Sequence, residues 1–239
     1  MGAIYKREMK AYFTTPLGFV FSAIFVAVSG ILFYYNTFHQ QLSATSPINL
    51  GEYFMAVMFL MMILIPLLTM KTFADEKKSG TEQLLLTSPV SIGSIVAAKF
   101  CAAYTVFGGT FLITCLNLIA IGRYGTPNGG VMLGYIIGIL LVGAAFIAVG
   151  IFFSSMTENQ LIAAVCSIGV LFVMMMINTI NNSISSPFIR SILSWLSVYN
   201  RYVNFTYGIF DIAALLYYIS LCFAFLFLTA RVYEKRRWE

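Results

Sequence analysis

Few residues in this sequence are of the types that carry enzyme chemistry, and those few are scattered. His39, the one histidine, has no cysteine, aspartate or second histidine nearby, so a solvated loop residue is a better interpretation than a metal ligand or a catalytic base. No HExxH, GxSxG or GxxxxGK(S/T) motif is present, and no pair of carboxylates stands at helical spacing within an apolar run. The sequence therefore predicts a non-catalytic chain without a cofactor or metal of its own.

The cysteines indicate neither a disulfide nor a zinc site. All four lie inside apolar runs, and they form neither a CxxC pair nor a metal-ligand spacing. They are Cys101, Cys115, Cys166 and Cys222. We interpret them as small apolar packing residues.

The composition points to lipid as the main solvent. Of the 239 residues, 60% are hydrophobic and 10% are charged, whereas soluble domains are about half apolar and a quarter charged. Uncharged stretches long enough to span a bilayer occur at residues 17–36, 53–70, 97–121, 131–153, 160–181 and 210–230. Unbroken apolar runs of this kind argue against a transmembrane β-barrel. The prediction is an all-α polytopic membrane protein with six transmembrane helices in one transmembrane domain over residues 1–239.

Lysine and arginine beside these spans are distributed unequally. Both termini share a side, which carries ten of these residues against three on the other side. The ten are Lys6, Arg7, Lys10, Lys71, Lys77, Lys78, Arg231, Lys235, Arg236 and Arg237, and the three are Arg123, Arg190 and Arg201. Lys99, just inside the third span, is expected to snorkel back to the surface. The asymmetry predicts cytoplasmic termini, and cations at the ends of apolar runs do not form the basic surface that binds nucleic acid.

Three segments outside the spans also carry information. Residues 1–16 mix apolar and charged residues as an interfacial helix does, although a positive flank that sets topology explains the pattern equally well. Residues 183–209 are too polar for a transmembrane helix and too apolar for a solvent-exposed loop, so they predict an interfacial or re-entrant segment on the outer side. Residues 71–92 form the longest predicted cytoplasmic connection.

This cytoplasmic connection is predicted to contain short surface helices. Ser79 and Glu82 have the spacing of a capping box, and Gly80 between them permits a sharp bend. The following leucines are too apolar for an exposed loop, so lipid headgroups or a protein partner should cover them. A surface anchor without further function is the alternative.

The predicted spans hold almost no ionisable residues near the middle of the bilayer, whereas ion-coupled carriers use such groups to bind the coupling ion. If the chain moves a substrate, the energy therefore comes from outside it. ATP is the obvious source, and because the chain has no phosphate-binding loop, the ATPase must be a separate chain.

The run TFADEKKSGTEQLLLTSPVSIGSIVAAKF resembles the conserved loop of ABC-2 type transporter permeases, with its acidic-basic stretch, Gly-Thr-Glu element, leucine-rich turn and Thr-x-Pro break. The segments YKREMKAYFTTPLGFV, SSMTENQLIAA and RVYEKRRW are similar to the permeases associated with bacterial gliding motility. The resemblance covers essentially the whole chain. It implies a bacterial inner-membrane protein that works as a homodimer or heterodimer of six-helix halves.

The resemblance also implies a coupling helix between the second and third spans that fits a groove of an ABC ATPase subunit, which carries the ATP and magnesium. The residues placed by analogy at this interface are Glu8, Lys10, Glu76, Lys78, Gly80, Thr81, Glu82 and Leu85.

Three further residues are candidates for gating or packing. Pro66 is expected to kink the second span, either as a gating bend or for packing alone. Gly134 and Gly138 form a GxxxG motif that serves helix packing within the chain or, alternatively, contact between two copies.

The leading hypothesis is the permease subunit of an ABC exporter, with a hydrophobic or amphipathic cargo. The main alternative is a mechanical coupler that transmits ATP-driven motion to an auxiliary protein with an extracytoplasmic domain. An ion-coupled carrier or a lipid-modifying enzyme is a third possibility from another class.

Overall fold

We analysed a computed structural model, which describes residues 1–39, 50–83, 90–121, 129–182, 190, 197–206 and 211–238. Leu85 and most of the predicted outer segment 183–209 lie outside the described residues. The described chain is helical, and no strand occurs in these ranges. The predicted all-α fold is confirmed.

The helices follow one another in a simple order. They are α1 (Gly2–Thr14), α2 (Pro16–Phe33) with a π-helical extension (Tyr34–His39), α3 (Gly51–Thr69), α4 (Lys71–Lys78), α5 (Ile92–Thr114), α6 (Leu116–Ile121), α7 (Gly129–Met156), α8 (Gln160–Asn182), α9 (Val198–Thr206) and α10 (Ile212–Trp238).

Six helical segments in the described ranges are long and apolar enough to cross a membrane, which confirms the six predicted spans. They cover Pro16–Thr37, Gly51–Lys78, Ile92–Leu118, Gly129–Met156, Gln160–Thr179 and Ile212–Arg237. The second, third and sixth spans extend further towards their charged ends than predicted. Hydropathy finds where the apolar residues stop, and charged residues such as those of α4 and the end of α10 can continue a helix beyond that point.

Helix α7 forms the centre of the bundle. It packs against α3, α8, α9 and α10, and also against α4 and α5. Buried residues make up 61% of its apolar window, against 28% for α2 and 22% for α10, so α2 and α10 lie at the periphery. The apolar residues of α7 surround the helix on every side, the pattern of a helix enclosed by others.

Glycines of α7 allow its neighbours to approach closely. A Cβ on Gly143 would stand 2.2 Å from the Phe107 ring, and one on Gly150 would stand 2.1 Å from the Thr69 hydroxyl. A Cβ on Gly138, one of the GxxxG pair, would stand 2.9 Å from the ring of Tyr202 in α9. Gly138 thus packs closely against α9 of the same chain, and Gly134 is buried in α7.

Pro66 lies inside α3 and has no backbone N–H, so it cannot donate to the carbonyl of Met62. One turn later the hydroxyl of Thr69 donates to the carbonyl of Ile65 at 3.0 Å. Met70 then separates α3 from α4.

The turn after α4 differs in part from its prediction. Gly80 adopts a positive φ of 71°, which confirms the sharp bend. The capping box is wrong, because Ser79 ends α4 and its hydroxyl donates to the carbonyl of Asp75 at 2.8 Å. A helix end offers free carbonyls, and the serine hydroxyl satisfies one of them.

The bundle has two chemically different ends. The charged end consists of residues 1–16, 70–83, 90–99, 154–160 and 231–238, and its contacts include ion pairs from Arg7 to Glu76 and from Arg236 to Glu82. The aromatic end consists of residues 33–37, 50–54, 129–138, 197–206 and 211–218, where Phe54 stacks on Tyr135.

Candidate functional site

Four charged side chains at the charged end form one network, composed of Arg7, Glu8, Glu76 and Lys99. The Nη2 atom of Arg7 lies 2.7 Å from Oε1 of Glu8 and 2.6 Å from Oε1 of Glu76. The Nζ atom of Lys99 lies 3.2 Å and 2.9 Å from the same two oxygens. These pairs join α1, α4 and α5.

Lys99 is the most buried member of this network, with 1% of its surface exposed. Its ammonium also donates to the backbone carbonyl of Thr72 at 2.6 Å, so three acceptor oxygens lie within 3.2 Å of Nζ. The ring of Phe73 lies 4.8 Å from Nζ and adds a cation–π contact. The predicted snorkelling of Lys99 is wrong, because these acceptors compensate the ammonium in the interior and it has no need to reach water.

Two tyrosines of α1 attach this helix to its neighbours. The hydroxyl of Tyr5 donates to the Thr105 hydroxyl at 3.1 Å. Tyr12 is buried, and its hydroxyl lies 3.4 Å from that of Thr72. Burial raises the pKa of Tyr12 to about 12 although the Thr72 hydrogen bond opposes the shift. Tyr12 is therefore a neutral hydroxyl at physiological pH, and α1 is held by tyrosine hydrogen bonds and by the burial of Tyr12 as well as by charge.

The side chain of Ser154 in α7 hydrogen-bonds to the backbone at the start of α4. Its hydroxyl oxygen accepts the N–H groups of Phe73 and Ala74 at 3.0 Å and 3.1 Å, and its hydroxyl donates to the carbonyl of Met70 at 2.9 Å. A helix leaves its first N–H groups without partners inside the helix, and this serine satisfies two of them. The break between α3 and α4 is thus fixed to α7.

Further contacts join α4 and the following turn to the rest of the bundle. Lys77 donates to the carbonyl of Ser155, and the side-chain amide of Gln160 in α8 donates to Asp75 at 2.7 Å. The ring of Tyr233 in α10 lies 4.5 Å from that of Phe73. With the charged network, α4 therefore contacts five neighbouring helices: α1, α5, α7, α8 and α10.

The comparison with known families identifies the chain. Residues 3–238 match the family model described as ABC-2 family transporter protein. The chain belongs to this family. No curated protein matches the chain significantly. As an ABC-2 family transporter with six candidate spans, it is a multi-pass membrane component of an ABC transporter, and this membership implies an ABC ATPase as its partner.

The residues predicted to face an ATPase fall into two groups in this ABC-2 family transporter. Glu8 and Glu76 belong to the charged network, and Glu82 lies 3.4 Å from Arg236, so these carboxylates contact other parts of the same chain. The exposed members are Lys10, Lys78, Gly80 and Thr81. Leu85 lies outside the described residues.

Sequence reasoning missed several residues that hold this site together. It used Arg7 only to assign topology and Lys99 only as a snorkelling residue, and it gave no individual role to Ser154 or Tyr233. A signal existed for Lys99, because a lysine within the first turns of an apolar helix needs a partner unless it reaches the surface. Ser154 and Ser155, which follow the fourth apolar run, gave a weaker indication of a buried polar contact.

The described residues contain no group of three histidine, cysteine, aspartate or glutamate side chains that could hold a metal ion. The contacts that the described residues of this site do make are ion pairs and hydrogen bonds that join neighbouring helices.

Proposed function

We propose that this chain is the permease subunit of an ABC exporter, in which a separate ATPase binds at the charged end and moves α4. The proposal extends the family assignment. The observation that carries it is the attachment of α4 to five neighbouring helices through the charged network, Ser154, Gln160 and Tyr233.

The contacts of α4 make it suited to transmit motion. The second span continues into α4 with Met70 as the one interruption, so a displacement of α4 acts directly on that span. Lys99 links α4 to the start of the third span, and breaking such a buried pair is costly, about 3–5 kcal/mol. Helices tied in this way are expected to move together as rigid bodies when α4 is pushed.

The same helix end offers a surface to a partner. Lys78, Gly80 and Thr81 are exposed, and the positive φ of Gly80 turns the chain at this point. Lys10 is exposed on α1, which the charged network joins to α4. We propose that these four residues contact the ATPase, while Glu8, Glu76 and Glu82 position the elements that carry them.

The lack of charge in the middle of the spans supports an external energy source. Residues 53–69, 100–118, 131–153, 160–179 and 212–230 include no aspartate, glutamate, lysine or arginine. A pathway of this composition suits a hydrophobic or amphipathic cargo and gives a coupling ion no carboxylate to bind.

Two steps test this proposal. The full chain is first purified in mild detergent from the membranes that contain it, and mass spectrometry is expected to find an ABC ATPase. A Thr81→Cys variant is then treated with a bifunctional thiol-amine cross-linker. We expect it to cross-link to the ATPase, and we expect ATP with vanadate to change the yield.

Gly129→Cys provides the matched control, because Gly129 is equally exposed but begins α7 at the aromatic end. The proposal fails if no ATPase co-purifies or if the two variants cross-link equally. Vesicles containing the complex and ATP would then separate transport from mechanical coupling, since an exporter accumulates cargo in inverted vesicles and a coupler does not.

A further inference from the structure

Two serines of α2 and two threonines of α5 form a hydroxyl seam between these helices. The hydroxyl oxygens of Ser22 and Thr110 lie 2.8 Å apart. Those of Ser29 and Thr114 lie 3.5 Å apart. Each threonine also donates to a carbonyl one turn earlier in α5, Thr110 to Val106 at 2.8 Å and Thr114 to Thr110 at 3.2 Å. The threonine oxygens are therefore oriented by their own helix and accept from α2.

Helix α1 is joined to the same α5. The hydroxyl of Tyr5 donates to Thr105 at 3.1 Å, and Glu8 pairs with Lys99 at 3.2 Å. Helix α1 also packs against α2. From Lys99 to Thr114 these contacts extend along α5 for about 22 Å at 1.5 Å per residue, which is most of the thickness of the hydrocarbon layer. Directional polar contacts thus hold α5 against α1 near the charged end and against α2 deeper in the bundle.

The same helices meet α3 and α7 through apolar side chains. The rings of Phe33 in α2 and Tyr53 in α3 stand edge to face at 5.2 Å. The ring of Phe107 in α5 lies against Gly143 of α7, where a Cβ would stand 2.2 Å from it. Ring packing has looser geometric requirements than a hydrogen bond, so this boundary tolerates displacement better than the hydroxyl seam does. At the charged end, the charged network joins α1 and α5 to α4.

We infer that α1, α2 and α5 move as one body, which keeps its internal register and tilts against α3 and α7 about the charged end. Sliding α2 by one turn would separate Ser22 from Thr110 in a region where no water replaces the lost hydrogen bond. Small movements of packed helices across the apolar boundary are of the shear type. The inference goes beyond the proposed permease function, because it states which spans stay together whatever drives their motion.

Disulfide formation in native membranes tests the register of the hydroxyl seam. The four native cysteines are first replaced by alanine. Ser22→Cys is then combined either with Thr110→Cys or, one turn further along α5, with Thr114→Cys. Because a disulfide needs its two Cβ atoms within about 4.5 Å, we expect oxidation to link the Thr110 pair at least about tenfold faster. Equal rates would show that α2 and α5 slide past each other and would overturn the inference.

The apolar boundary provides the matched comparison. Phe33→Cys is combined either with Tyr53→Cys or with Val57→Cys, which lies one turn further along α3 and is also buried. If the body tilts at this boundary, the preference for one partner should stay below about threefold. A preference as strong as that of the hydroxyl seam would overturn the inference, since the boundary would then be equally fixed.

A second boundary pair makes the comparison independent of the two rings that the first pair removes. Phe107→Cys is combined either with Gly143→Cys or with Ile147→Cys, one turn further along α7. Size-exclusion chromatography of the reduced proteins identifies the variants that fold, and only these are compared. The oxidation rates require no nucleotide. A failure to find an ATPase partner would therefore refute the proposed function and leave this test of the moving body intact.

Discussion

The charged end and the aromatic end of this bundle are held together by different interactions. At the charged end, Lys99 and Arg7 each bridge Glu8 and Glu76, and the partners come from three helices. At the aromatic end, the rings of Phe54 and Tyr135 stack at 4.5 Å, and those of Phe33 and Tyr53 meet edge to face at 5.2 Å. Polar contacts thus determine the geometry of one end, and ring packing determines that of the other.

The difference has a consequence for how each end responds to force. Hydrogen bonds and ion pairs are directional, and losing one partner leaves a buried group uncompensated. Aromatic packing has looser geometric requirements, and its strength follows the area that is buried. An end that must transmit motion benefits from the first kind of contact, which agrees with the proposed role of α4.

The largest effect is expected from removing the buried cation of the charged network. Lys99→Met leaves the carboxylates of Glu8 and Glu76 close together with only Arg7 as a network partner. Breaking a buried pair in this way costs about 3–5 kcal/mol of unfolding free energy. Denaturation of the purified protein in detergent, followed by circular dichroism, measures the loss.

Lys6→Met is the control for this prediction, because Lys6 is exposed on α1 and does not belong to the network. We expect it to stay within about 0.5 kcal/mol of the unmodified protein, as most surface substitutions do. If Lys99→Met and Lys6→Met cost the same, the network does not hold the charged end together.

Glycine-to-alanine substitutions in α7 test the packing of both ends, because α7 has near each end a glycine that lies close to a side chain of a neighbouring helix. Gly150→Ala places a methyl group against Thr69, which is buried at the end of α3. Gly138→Ala places one against the ring of Tyr202 at the aromatic end. Each is expected to cost about 1–3 kcal/mol, with the larger loss at Gly150, where the predicted contact is shorter.

Gly109→Ala is the matched control, because no atom outside its own helix lies within 4 Å of the added methyl group. It should be neutral or slightly stabilising, since alanine favours helix more than glycine does. A larger loss at Gly109 than at Gly150 in the same unfolding assay would contradict the packing described for α7.

Ser154→Ala removes the hydroxyl that joins α4 to α7. The N–H groups of Phe73 and Ala74 lose their acceptor, and an unsatisfied buried polar group costs about 1–3 kcal/mol. If α4 transmits motion, this variant should also weaken the response of the ATPase to the permease. Hydrogen exchange of residues 71–78 should increase.

Ser155→Ala is the control that tests whether the increased hydrogen exchange is specific to Ser154 or follows the loss of a neighbouring buried serine. The hydroxyl of Ser155 donates to the carbonyl of Phe152 in its own helix at 2.6 Å and does not hold the backbone of α4. Hydrogen exchange of α4 in Ser155→Ala should therefore equal that of the unmodified protein. Equal exchange in the two serine variants would remove Ser154 from the proposed coupling path.

The spans could be predicted from the sequence because their signal is local. A run of about 20 apolar residues is sufficient to identify a membrane helix, and six such runs lie where the structure places six candidate spans. The bend at Gly80 was equally local, because a glycine between polar residues permits a positive φ.

The candidate site could not be predicted in the same way, because its partners are distant in the chain. Glu8 and Lys99 are separated by 91 positions, and Ser154 lies 80 or more positions from the N–H groups it binds. Hydropathy cannot show whether a lysine at a helix end reaches outward to water or inward to carboxylates. A serine at the end of an apolar run is likewise ambiguous until the neighbouring helix is known.

The smallest expected effects come from two buried tyrosines at the aromatic end. The hydroxyl of Tyr218 donates to the carbonyl of Val198 at 2.8 Å, whereas the buried hydroxyl of Tyr202 has no hydrogen-bond partner among the described residues. Tyr218→Phe should therefore cost about 0.5–1.5 kcal/mol. Tyr202→Phe should be neutral or stabilising, because it removes a buried hydroxyl that has no hydrogen bond to compensate for its lost hydration.

This pair of tyrosines determines whether the contrast between the two ends is correct. Both variants keep the aromatic ring, so they measure the hydroxyl alone. If ring packing holds the aromatic end, neither should approach the loss expected for Lys99→Met in the same unfolding assay. A loss of several kcal/mol from Tyr202→Phe would mean that its hydroxyl binds a buried water or another polar group, and that the aromatic end also depends on directional polar contacts.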